Sequence, residues 1–172
     1  RLDGDFVENT DWWFNESLAD YTLTTTPTDK AITSSFTPDG TDKFLYVVNM
    51  IHNVVSVTTS VNLTLFDSVA GVLGMYQGEG EDTTNQLATT LMWVGVPTAA
   101  ARTVSARVYE TGGSNIMLAS RVFVFNLSAF AQVANTFDAT EVDPASSPSW
   151  STVATQSPTP TVTGNWEVMA FS

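Results

Sequence analysis

Residues 43–53 (KFLYVVNMIHN) and 55–66 (VSVTTSVNLTLF) decide the fold of this chain. The first run is apolar almost throughout, as expected of a central strand covered on both faces. In the second, Val55, Val57, Thr59, Val61, Leu63 and Leu65 alternate with Ser56, Thr58, Ser60, Asn62, Thr64 and Phe66. A period of two predicts a half-buried strand with one wet face.

Outward from this pair the period-2 signal continues. Residues 31–38 read as a short strand that ends in the turn Pro38-Asp39-Gly40. Downstream, Asp67-Ser68 and Gly71 to Gly74 mark a reversal around a strand or hairpin arm at 69–76. Residues 77–85 (QGEGEDTTN) read as an acidic loop, and 86–96 as a strand that stops at Pro97. In 103–109, Val104, Ala106 and Val108 alternate with Ser105, Arg107 and Tyr109, and Gly112-Gly113 centre a hairpin turn. Residues 115–127 form the last long strand, and only 127–134 tolerate a short helix. Strands of this length at near-regular spacing predict an all-β fold, an antiparallel β-sandwich or jelly-roll-like domain over 31–130.

Two arms flank that domain. Residues 1–30 are polar and turn-rich around the aromatic cluster Trp12, Trp13 and Phe14, expected to plug the end of the sandwich or a neighbouring subunit. Residues 131–172 are rich in Pro, Thr and Ser, with four of the seven prolines at or after Pro144, and close on a strand-like run at 166–171. Phe6-Val7-Glu8-Asn9-Thr10 and Phe137-Asp138-Ala139-Thr140-Glu141 open similar successions of Trp, a Thr/Ser/Pro-rich segment and an apolar strand. The C-terminal arm is therefore either a partial second repeat or an extension of composition alone. Its strand, carrying Trp166, Val168 and Ala170, either inserts into a neighbour's sheet or pairs within its own domain.

Composition narrows the function classes. Six Lys+Arg against 18 Asp+Glu leave a net charge of −12, which excludes a basic face for nucleic-acid phosphates or anionic lipid. Cations, polar surfaces, glycans and other subunits remain as partners. There is no cysteine, hence no disulfide, thiolate metal site or cysteine nucleophile. No apolar run reaches the roughly eighteen residues of a membrane-spanning helix. The chain opens at Arg1 with neither Met nor an apolar signal core, and reads as a processed product or a piece of a longer polypeptide.

The residues that carry chemistry elsewhere are sparse. His52 is the single histidine, set in an apolar strand, and reads as a hydrogen-bonded structural histidine rather than a zinc ligand or triad base. Glu79, Glu81 and Asp82 offer oxygens for Ca²⁺, as does Asp3-Gly4-Asp5, but neither has EF-hand spacing, and solvated loops account for both. Asn15, Asn62 and Asn126 head Asn-X-Ser/Thr triplets, with Asn62 on the expected wet face. Trp12, Trp13, Trp93 and Trp150 are candidate stacking platforms for sugar rings. No pair of carboxylates is placed at a common cleft, so no enzymatic reaction and no obligatory cofactor is expected.

The Trp/Thr-rich lead-in, KFLYVVNM, VSVTTSVNLTLF, the acidic loop, VSARVYE and the closing RVFVFNL together resemble the jelly-roll-like β-sandwich domains of phage tail, fibre and virion-surface proteins. The resemblance covers about half the chain and carries over no catalytic residue. It implies a structural or attachment role in a multimeric assembly on a virion surface or in the extracellular space, with copies of the chain or other structural subunits as partners. Two further roles fit the same pattern: a carbohydrate-binding or adhesin module, and an extracellular filament subunit joined by strand donation.

Overall fold

The computed structural model describes residues 7–53, 60–79, 86–112 and 115–129. Its organising hairpin is β5 (Ser60–Asp67) and β6 (Gly71–Glu79). Asp67 makes the turn: its Oδ1 accepts the N–H groups of Val69 at 2.7 Å and Ala70 at 3.0 Å. Gly71 follows at φ 86°, a left-handed conformation that a side chain would strain.

Around that hairpin the remaining strands pair in nested order. β4 (Phe44–Asn53) pairs with β7 (Gln86–Gly95), and β3 (Thr28–Ile32) with β8 (Val104–Glu110). β1 (Trp12–Ser17) and β2 (Tyr21–Thr22) both pair with β9 (Ile116–Asn126). Successive pairs fall alternately in two antiparallel sheets, β1-β9-β4-β7 with β2 also on β9, and β3-β8-β5-β6. We call these sheet A and sheet B. A long hairpin rolled up in this way is a jelly roll, an antiparallel β-sandwich.

The inner faces meet in one core. Phe44, Tyr46, Val48 and Met50 of β4 and Val122 and Val124 of β9 pack against Val61, Leu63 and Leu65 of β5 and Val104, Ala106 and Val108 of β8. At one end Arg102, in the connection from sheet A to sheet B, is buried against Asp67 at 2.8 Å, both side chains 1 % exposed. Its Nη2 donates to the carbonyl and hydroxyl of Thr98, so the guanidinium is shared between loop and turn. Burial, with the Asp67 carboxylate adding to it, pushes the Tyr46 phenol above its usual range.

Several expectations change. The first thirty residues are not only an arm: β1, β2 and the start of β3 lie there and belong to the sandwich. β3 starts three residues before the expected 31–38 strand and overlaps it only at Ala31 and Ile32, and Phe36 forms an isolated bridge to Arg102. β5 has no wet face, because Asn62 is 4 % exposed and Thr64 is buried as well. They stand in register with Tyr109 and Arg107 of β8, and the Arg107 guanidinium lies 3.3 Å over the Phe66 ring. Long amphipathic side chains thus roof the polar positions. Of the helix-tolerant 127–134, Leu127–Ala129 is a single 3₁₀ turn. The proposed C-terminal arm lies outside the described residues.

Candidate interaction surfaces

Side chains on alternate positions of sheet A point away from the core, and register aligns them into rows. One row reads Trp12, Phe125, Leu45, Val94, and the next Phe14, Phe123, Val47, Met92. The third turns polar, with Glu16, Arg121, Asn49 and Thr90. The outer face of sheet A thus carries an apolar belt across four strands. Leu45, Val47 and Leu127 are buried within it, packed by Phe123 and Phe125. The Phe14 and Phe123 rings are 4.8 Å apart and those of Phe123 and Phe125 stack at 6.2 Å. Towards β7 the belt is open to solvent, Met92 being 40 % and Val94 38 % exposed.

Sheet B has a different outer face. Arg107 donates from Nε and Nη2 to the Asp29 carboxylate at 2.7 and 2.9 Å, and the Ser105 hydroxyl donates to the same carboxylate at 2.8 Å. This holds the Asp29 carboxyl below its usual range, the Arg107 hydrogen bonds being the largest cause. Val72 and Met75 on β6 are the exposed apolar counterparts on this side, at 56 % and 55 %.

The sheet edges also differ. β3 ends sheet B with Asp29, Lys30 and an irregularity in register, all of which discourage pairing with another chain. β7 ends sheet A with ten residues, QLATTLMWVG, that contain neither a charge nor a proline. Among the described residues no further strand pairs with it, and it lacks the charges and prolines that commonly protect an edge.

Of the aromatic platforms, Trp13 is 5 % exposed and stacks on Phe36 at 4.5 Å, so neither ring face is open to a sugar. Trp93 is half-buried against Tyr46, ring centroids 4.8 Å apart, and lies over Gly95, where a side chain would collide with it. Trp12 is half-buried in the belt, and Trp150 lies outside the described residues. Among the acceptor triplets, Asn62 is buried and has no room for a glycan, which corrects the wet-face reading. Asn15 is exposed but donates to the Ile32 carbonyl, and Asn126 donates to Asp42.

Glu79 ends β6, whereas Glu81, Asp82 and Asp3-Gly4-Asp5 lie outside the described residues, as do Trp166, Val168 and Ala170. Among the described residues no three metal-binding side chains converge. His52 is fully buried, as a structural histidine should be, yet neither ring nitrogen finds a partner among the described residues. Burial alone holds its pKa below the usual histidine value. Its hydrogen-bonded reading is thereby corrected: β4 carries it into the core with the other inward residues.

The sequence did not reveal that Asp39 and Asp42 line one cleft of about 340 Å³ beside Trp13 and Phe36. Both carboxylates are engaged: Asp39 accepts from the Thr41 hydroxyl and from the N–H groups of Thr41 and Asp42, and Asp42 accepts from Asn126. The Thr41 hydroxyl bond, with those N–H groups, holds the Asp39 carboxyl low, the reverse of what a general acid needs.

The sequence matches no family model and no curated protein sequence. Solved structures that align with this chain include the following three. A subunit of the disulfide-linked pili of Bacillus endospore appendages aligns at TM-score 0.37 and 9% identity over 68% of this chain and 89% of its own. The Eiger TNF of S. frugiperda aligns at TM-score 0.44 and 11% identity over 77% and 99%. The enzymatically active domain of bacteriophage CBA120 tailspike protein 4 aligns at TM-score 0.30 and 11% identity over 68% of this chain and 19% of its own.

Proposed function

We propose that the chain is a non-enzymatic structural subunit of a multimeric assembly, on a virion surface or in the extracellular space, that joins its neighbours through strand edges and a terminal arm. The observation that carries this reading is the β7 edge, which no other described strand pairs and whose ten residues carry neither charge nor proline. Its unpaired backbone groups favour addition of an extended segment, and main-chain hydrogen bonds then supply affinity. The segment we assign to this role is the strand-like run with Trp166, Val168 and Ala170, donated by a neighbouring copy.

Deleting residues 166–172 tests the reading. Growth of assemblies larger than the basic unit, followed by light scattering, should disappear, and Leu87→Lys on the β7 edge should reproduce the loss. Unchanged growth in both variants would refute strand addition at this edge.

A further inference from the structure

We infer that the outer face of sheet A is an isologous interface that takes the same face of a second copy. The face is built as an interior surface: an apolar belt lies across β1, β9, β4 and β7, with Leu45 and Val47 already buried beneath their neighbours. A sheet that is apolar on both sides belongs inside a stack of layers, and among the described residues the core supplies only one neighbouring layer. This interface is separate from the β7 edge, and it shares with the proposed function only the premise of self-association.

Charge and area identify the occupant. The chain carries −12, so two copies repel over most of their surface. Within the three rows of this face the charged residues are Glu16 and Arg121, which cancel and pair at 3.2 Å. These three rows are therefore neutral in an acidic molecule, so like copies approach there without net repulsion. Four strands at about 4.8 Å spacing and roughly eight residues at about 3.4 Å rise present on the order of 500 Å² in projection. A corrugated surface of that extent approaches the about 800 Å² of accessible area that each partner buries in a standard interface.

Sedimentation velocity of the full chain over a concentration series tests this. The expected unit is twice 18.5 kDa. Met92→Glu, at an exposed position that leaves the core intact, should halve it, and Phe123→Glu should do the same with an unchanged β-sheet circular dichroism spectrum. Leu87→Lys and deletion of 166–172 should leave the two-copy unit in place while abolishing its further growth, which separates failure of this interface from failure of strand addition. The inference is overturned if the wild-type chain sediments at 18.5 kDa throughout, or if Met92→Glu leaves the unit unchanged. It is equally overturned if truncation after Ala129 creates a dimer that the full chain lacks, because the chain's own C-terminal segment would then be the cover.

Discussion

The two outer faces of this sandwich solve the same problem with different chemistry. Sheet B pairs its outward polar groups from within, Arg107 reaching Asp29 and lying over Phe66, while Val72 and Met75 stay exposed on its β6 edge strand. Sheet A presents Trp12, Phe14, Phe123, Met92 and Val94 in rows with no such roof. Apolar residues on one edge strand are ordinary at a boundary with water, whereas an apolar belt continuous across four strands marks an interface.

The largest effect comes from cutting the tie between the sheets. Arg102→Met leaves the Asp67 carboxylate buried without its partner and should cost about 3–5 kcal/mol in urea unfolding. A loss under about 1 kcal/mol would mean that the turn amides of Val69 and Ala70 suffice to hold the charge. On the apolar face, Phe123→Ala removes a half-buried ring and should cost about 1–2 kcal/mol, below the 3–5 of a fully buried aromatic. On the polar face, Asp29→Asn weakens a partly solvated pair and should cost about 1 kcal/mol or less. Should Asp29→Asn prove the costlier of the two, the contrast between the faces would be inverted.

Acid separates two further groups. The folded pKa of His52 lies below its ordinary 6.5, so the unfolded chain takes the proton first and stability falls as pH drops through about 6.5. Asp29 acts lower: its contribution is intact above its ordinary 3.8 and is lost only as pH falls through its depressed folded value. Between pH 7 and pH 5 the slope from these two groups should therefore come from His52, and His52→Leu should flatten it in denaturation midpoints. A slope that survives the substitution would place the titrating group elsewhere. The smallest effect is expected for Met75→Glu, within about 0.5 kcal/mol and without change in molecular mass.

Much of the sandwich was legible because its central strands follow their periodicity. β4 begins one residue inside the expected 43–53, and β7, β8 and β9 agree closely with 86–96, 103–109 and 115–127. β1 was hidden by the property that makes sheet A unusual. Trp12, Trp13 and Phe14 read as a plug because a strand apolar on both faces does not alternate, whereas Trp13 points into the core and its neighbours point out. The reverse error occurred at Asn62, where clean alternation promised water and the opposite strand supplied a roof. Periodicity reports which residues share a face but not what lies over it. The belt itself depends on register across four strands, which no single stretch of sequence contains.

The contrast between the faces is tested most directly by two methionines. Met92 stands on the outer face of sheet A and Met75 on that of sheet B, 40 % and 55 % exposed in the single chain. Hydroxyl-radical oxidation of both, followed by mass spectrometry over a protein concentration series, reads the two faces in one sample. Met92 should become progressively protected as concentration rises while Met75 oxidises at a constant rate. Equal oxidation of both at every concentration, or protection of Met75 instead, would contradict the assignment of sheet A as the face that meets another copy.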